Sequence, residues 1–110
     1  MINLIRGSCE QFKFKIPYTF DQIDKIRITF KQIDLKGNSV EIVKTKADCM
    51  AAGDKAKVVY TKLTQEETLR FSTDSKAYVQ WRALTTDGIP FSSKIRQITV
   101  YPTLDETILS

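Results

Sequence analysis

The chain has 110 residues, 42% apolar and 27% charged, with only four glycines and three prolines. This composition is that of an ordinary globular domain, and it argues against a disordered or linker-rich chain. A chain of this length buries well over half of its unfolded surface, so we expect one domain, 1–110, with one core.

The charge balance is mildly basic, with 17 Lys and Arg against 13 Asp and Glu and a net charge of +4. Acidic and basic residues interleave, so no block of like charge indicates a nucleic-acid or membrane tail. No stretch has the length of a membrane span, and the start from Met1 to Arg6 lacks the pattern of a signal peptide. We therefore expect neither membrane insertion nor secretion by a standard signal.

The residue inventory argues against an enzyme. Histidine is absent, which removes the usual general base and the usual nitrogen ligand of zinc. Cys9 and Cys49 are predicted to be free thiols because no secretory context is present. Neither a phosphate-binding glycine loop nor a metal-ligand spacing occurs. We expect no catalytic, cofactor-binding or metal-binding residues.

Alternation of apolar and polar residues dominates the first half of the chain and predicts strands with one buried face. A first strand is expected to end at Pro17, and a second precedes a turn at 34–39 and an antiparallel return strand at 40–45. The predicted inward residues of the first two strands are Phe12, Phe14 and Ile16, then Ile26, Ile28 and Phe30.

The middle of the chain is less regular. Segment 47–54 fits a short strand, a helical turn or a loop, whereas 56–61 is rich in strand-forming residues. Thr64 and Glu67 have the spacing of a capping box, which predicts a single helical turn over 65–69. We expect Leu69 and Phe71 to hold this turn against the core.

The last third predicts two strands joined by a turn at Asp87-Gly88. Segment 76–85 is the longest predicted strand, with Val79, Trp81 and Ala83 facing inward, and 95–101 is the final strand. The tail after Pro102 contains three apolar residues that could contact a partner or the chain's own sheet. They are Leu104, Ile108 and Leu109.

About seven short strands without a long helix predict an all-β fold. Our interpretation is a two-sheet antiparallel β-sandwich, immunoglobulin-like, with one short helical turn near 65–69. Cys9 and Cys49 both precede Trp81, so the cysteine pair that brackets a tryptophan in antibody domains is absent and the likeness is architectural. A five-stranded oligonucleotide-binding barrel is the alternative.

Aromatic residues suggest two binding hypotheses, each with a simpler explanation. Phe12 to Lys15 combines aromatic and basic residues, as single-strand platforms do, but an alternating strand places both phenylalanines in the core. Trp81 could stack on a sugar, but Val79 and Ala83 at two-residue spacing indicate core packing. We favour the core in both cases.

Four residues are candidates for contact with a protein partner. Gln80 and Arg82 alternate with Trp81 and are predicted to face outward, where the planar guanidinium of arginine pairs with carboxylates or carbonyls. Tyr78 and Tyr101 are predicted at outward positions or strand ends. The alternative for Gln80 and Arg82 is a solvated strand face with cross-strand pairing to acidic neighbours, and exposed tyrosines are common without a binding role.

Three segments of the sequence match motifs of a known family: Leu63 to Leu69, Tyr78 to Gly88 and Ser93-Lys94-Ile95, with weaker matches at Ile5-Arg6-Gly7 and Leu104 to Ile108. In these segments the chain resembles small structural proteins from the tail and baseplate regions of phages and prophages of Gram-positive bacteria. The chain departs from that pattern in its two cysteines, and in a tryptophan where such proteins usually carry a smaller aliphatic residue.

The resemblance implies a tail or baseplate building block that assembles through sheet edges and loops, with other phage structural proteins or with itself. It implies the host cytoplasm during assembly and then the virion, with no membrane partner and no sequence-specific nucleic-acid contact. The alternative is a stand-alone binding module for carbohydrate or single-stranded nucleic acid. Salt-sensitive oligonucleotide binding would support the nucleic-acid version.

Overall fold

The structure is a computed structural model and describes residues 2–53 and 55–109. Within these residues the chain forms nine strands, one short α-helix and two 3-10 turns. The strands are β1 (Ile2–Ile5), β2 (Glu10–Lys15), β3 (Ile23–Ile33), β4 (Ser39–Thr45), β5 (Cys49–Met50), β6 (Val58–Leu63), β7 (Ala77–Thr85), β8 (Pro90–Ser92) and β9 (Arg96–Tyr101). The helix is α1 (Gln65–Leu69), and the 3-10 turns are Phe20–Gln22 and Lys46–Asp48.

The strands form two separate sheets, which confirms the predicted sandwich. The alternative, a five-stranded oligonucleotide-binding barrel, is wrong. One sheet has the order β1-β9-β7-β3-β4, with β8 also paired to β7, and the other has the order β2-β6-β5. The strand order is immunoglobulin-like. In one sheet β9, β7 and β3 take the places of immunoglobulin strands G, F and C, and in the other β2, β6 and β5 take those of strands B, E and D. The β1–β9 pair is parallel, and the other pairs are antiparallel.

The core lies between the two sheets and contains the inward residues that alternation predicted. All nine are buried: Phe12, Phe14, Ile16, Ile26, Ile28, Phe30, Val79, Trp81 and Ala83. The rings of Phe12 and Phe30 meet across the sheets, with their centroids 4.9 Å apart. Because Phe12 and Phe14 are buried and Trp81 is only 7% exposed, none of the three offers an open face to a base or a sugar.

The predicted capping box begins α1. The Thr64 hydroxyl accepts a hydrogen bond from the Glu67 N–H at 3.2 Å, and the Glu67 carboxylate accepts one from the Thr64 N–H at 2.9 Å. Phe71 is buried as expected, whereas Leu69 is only half-buried. The buried anchor within the helix is Thr68, whose hydroxyl oxygen accepts from the Gly7 N–H at 3.0 Å.

Glu67 also joins α1 to the six-stranded sheet. The Lys44 ammonium lies 2.9 Å from both oxygens of its carboxylate. Burial disfavours the charged form, but the Thr64 amide and the Lys44 ammonium together outweigh it and hold the pKa of Glu67 below its usual value of 4.5.

This lowered pKa makes part of the stability dependent on pH. A carboxylate whose pKa is depressed by folding stabilises the protein fully above its unfolded pKa, and this contribution is lost as pH falls through the folded value. Glu67→Gln is expected to lower the free energy of unfolding by about 1 kcal/mol at pH 7, and the difference from wild type should shrink below pH 4.5. Urea unfolding of the variant and of wild type at pH 7 and pH 3 measures this difference.

The exposed neighbour Glu66 provides the matched control. Glu66→Gln should change the free energy of unfolding by less than about 0.5 kcal/mol at both pH values. A difference between Glu67→Gln and wild type that is as large at pH 3 as at pH 7 would contradict the account.

Several details differ from the sequence-based expectations. The longest strand is β3 with 11 residues, whereas β7 has 9. Segment 47–54 contains the end of a 3-10 turn and then β5, with Asp54 outside the described residues.

β1 was not predicted because its four residues have no clear alternation, and its partner β9 lies at the other end of the chain. The strand expected over 95–101 is preceded by the separate short strand β8.

Candidate interaction surface

The six-stranded sheet has one side that points away from the core, which we call the outer face. Along β7, residues Tyr78, Gln80 and Arg82 alternate with the buried Val79, Trp81 and Ala83 and therefore lie on this face. Tyr78 and Arg82 are exposed, and Gln80 is half-buried. The structure thus brings three of the four predicted contact residues onto one strand face.

Tyr101 lies on the same side of the sheet but apart from the other three. It is paired with Ile5 of the parallel strand β1, and both side chains are exposed. Gln97 is the residue of β9 that pairs with Tyr78. Tyr101 is four positions after Gln97, which places it roughly 13 Å further along the strand.

Gln80 has a contact within the chain. Its side-chain amide donates to the Ser93 carbonyl at 2.9 Å. Ser93 is also fixed to Trp81, because the Trp81 N–H donates to its hydroxyl at 3.1 Å and its own N–H donates to the Trp81 carbonyl at 2.9 Å. Gln80 therefore helps to hold the segment that separates β8 from β9.

Arg82 has a cationic neighbour that the sequence did not reveal. Arg27 of β3 is its direct cross-strand partner, and like charges in directly opposite positions destabilise a sheet. Neither arginine forms an ion pair with an acidic residue in the described part of the chain. With Lys25 and Ser92 they line an open depression of about 270 Å³. Arg27 was predictably outward from alternation, but its position beside Arg82 depends on the register.

The outer face becomes apolar toward the other end of β7. Ile33, Tyr78 and Ile95 are 61%, 42% and 64% exposed, and with Lys31 they line a depression of about 400 Å³. A contiguous apolar patch bordered by positive charge has the anatomy of a protein-binding surface. Ile33 is the last residue of β3, whereas Ile95 lies in the segment just before β9, so periodicity alone does not place them together.

The remaining reactive groups do not converge on a chemical site. Cys9 and Cys49 are free thiols, and burial raises the pKa of Cys49 to about 11, which keeps this thiol protonated near neutral pH. Residues 2–53 and 55–109 contain no cluster of three or more His, Cys, Asp or Glu side chains that could hold a metal ion. In the same ranges, no helix combines the length and apolar character needed to cross a membrane.

No model of a known protein family matches the chain, and no curated protein matches it. The likeness to phage tail and baseplate proteins therefore rests on the sequence motifs alone.

Proposed function

We propose that the chain is a non-enzymatic assembly protein that binds other proteins through the outer face of its six-stranded sheet. The observation that carries this proposal is the continuity of that face. An exposed apolar patch of Ile33, Tyr78 and Ile95 is joined along β7 to two cations, Arg27 and Arg82, that form no ion pair with any acidic residue that the structure describes.

The chemistry of the face favours a protein partner with apolar and acidic groups. Burying the patch would remove apolar surface from water, at about 25 cal/mol per Å². Carboxylates on the partner would neutralise Arg27 and Arg82, which are directly opposite each other on neighbouring strands and have no described acidic residue as an ion-pair partner. Tyrosine and arginine are also enriched among residues that dominate binding energy at interfaces.

We propose a phage or prophage tail or baseplate as the setting of this assembly. The support is the resemblance carried by Leu63 to Leu69 and by Tyr78 to Gly88. The second segment contains all of β7 except Ala77, so the motif and the outer face share residues. Repeated copies of a small sandwich suit symmetric rings, in which neighbours contact one another through faces and edges.

Single-stranded nucleic acid is a second candidate partner for the same face. Tyr78 is exposed and pairs across the sheet with Lys31, while Arg27 and Arg82 lie further along the two strands. An aromatic ring beside several cations can stack on a base and contact phosphates. Binding of this kind would weaken steeply with salt, by a slope of about −0.7 per phosphate contact on logarithmic axes.

The test is replacement of the gene in a phage-producing strain by variants of the outer face. Arg82→Glu reverses a charge at the centre of the face, and Lys62→Glu is the control because Lys62 is exposed on β6 of the other sheet. We expect Arg82→Glu to lower the yield of infectious particles at least about tenfold, because it places a carboxylate where the acidic groups of the partner are proposed to bind. Lys62→Glu should leave the yield unchanged.

The purified variants are compared by thermal unfolding, so that a folding defect is recognised. Equal yields for Arg82→Glu and wild type would contradict the proposal. Tight, salt-sensitive binding of oligothymidylate that Arg82→Glu abolishes would favour the nucleic-acid candidate instead.

A further inference from the structure

A second surface lies on the flank of the sandwich, where each sheet has an edge strand that is paired on one side only in the described part of the chain. β2 is at the edge of the three-stranded sheet and pairs only with β6. In the described part of the chain, β8 and the first residue of β9 pair only with β7. A groove of about 650 Å³ separates these two edges. We call it the flank groove, and it is lined by Lys13, Phe14, Lys15, Trp81, Ser93, Lys94, Ile95 and Arg96.

The flank groove is where constant-type immunoglobulin sandwiches place their first strand. In those domains the first strand pairs with the second and extends the smaller sheet of this fold to four strands. Here β1 pairs with β9 in the other sheet, and no strand within residues 2–53 and 55–109 pairs with the outer edge of β2. The free N–H and C=O groups of such an edge can accept a further strand.

Positive charge lines both walls of the groove. Lys13 and Lys15 come from β2, while Lys94 and Arg96 come from the junction of β8 and β9, and all four are exposed. None of them forms an ion pair with a described acidic residue, and the lining contains no carboxylate. Lysines on one edge strand are a common protection against aggregation, but that role does not require cations on the opposite wall as well.

We propose that the flank groove accepts an extended acidic segment of a partner protein, which pairs with β2 and becomes the fourth strand of the smaller sheet. Carboxylates of this segment lie among Lys13, Lys15, Lys94 and Arg96. A peptide suits the groove better than a nucleic acid, because the rings of Phe14 and Trp81 are buried and offer no face for stacking. Ile95 borders both surfaces, but the four cations of the groove do not belong to the outer face, so the proposal stands independently of it.

The test uses three blocked ten-residue peptides and the isotope-labelled protein. The first alternates valine with glutamate, the second replaces glutamate by lysine, and the third is the first with N-methyl groups at every second residue. We expect the acidic peptide to bind and to slow hydrogen exchange of amides in β2 (Glu10–Lys15). The basic peptide should not bind, and N-methylation should weaken binding at least tenfold because it removes the donors that pair with β2.

Charge reversal at the groove provides the second measurement. Lys13→Glu combined with Lys94→Glu is expected to weaken binding of the acidic peptide at least tenfold. The matched control is Lys36→Glu combined with Lys62→Glu, two exposed lysines outside both the groove and the outer face, and it should bind as wild type does.

Three outcomes would overturn the proposal. They are no binding of the acidic peptide at millimolar concentration, equal binding of the N-methylated peptide, and tighter binding of oligothymidylate than of the acidic peptide in the flank groove. Each leaves the outer-face proposal untouched, because Arg82→Glu tests that surface separately.

Discussion

Phe30→Ala is expected to lower the free energy of unfolding by about 3–5 kcal/mol, the range for truncating a fully buried phenylalanine. Phe30 is 0% exposed, lies between Val79 and Ile42 on its neighbouring strands, and contacts Phe12 of the other sheet. Alanine would leave a cavity at the point where the two sheets meet, and the flanking strands hold the backbone too firmly for the cavity to close.

The matched control is Phe91→Ala. Phe91 is half-buried at the edge of the core, with its ring centroid 5.0 Å from that of Tyr18 and 5.4 Å from that of Trp81. Its truncation should lower the free energy of unfolding by only about 1–2 kcal/mol, because part of the side chain already contacts water. Urea unfolding of both variants measures the difference. If Phe30→Ala lowers the free energy of unfolding by no more than Phe91→Ala does, Phe30 is not at the centre of the core, and the structure is contradicted on this point.

Gln32→Met is expected to lower the free energy of unfolding by about 2–4 kcal/mol, because it keeps the side-chain volume but removes three hydrogen bonds. Gln32 is 1% exposed. Its amide donates to the carbonyls of Ser72 and Ser75 at 2.7 and 2.9 Å, and its carbonyl accepts from the Ser72 N–H at 2.7 Å. These bonds hold the loop between α1 and β7 against β3.

Hydrogen exchange distinguishes this role from general packing. In Gln32→Met the Ser72 amide should exchange faster than in wild type, even where the protein remains folded. Gln97→Met is the control, since Gln97 is exposed on β9, and it should change stability by less than about 0.5 kcal/mol. Unchanged exchange at Ser72 would contradict the proposed role of Gln32 in holding the loop.

The predictions that succeeded depend on local patterns. Alternation identified the inward residues of β2, β3 and β7, because strand geometry makes side chains face opposite sides in turn. The capping box identified α1, since its two hydrogen bonds connect residues three positions apart. The turn at Asp87-Gly88 was recognisable because glycine adopts positive φ readily, and Gly88 has φ 83°.

The features that the sequence could not provide depend on contacts between distant segments. Arg27 and Arg82 are opposite each other only because of the β3–β7 register, and a shift of one residue would turn either side chain to the other face. Buried Thr68 was missed as an anchor because its partners are near the start of the chain. The flank groove follows from the pairing of β1 with β9, a parallel contact between the two ends of the described chain.

The central proposal is that this chain acts as a component of an assembly, and gradient sedimentation of an induced lysate tests it most directly. Each fraction is examined for peptides of this chain by mass spectrometry. The account predicts co-sedimentation with phage particles or tails. Recovery only among free small proteins at the top of the gradient, while particles form normally, would contradict it.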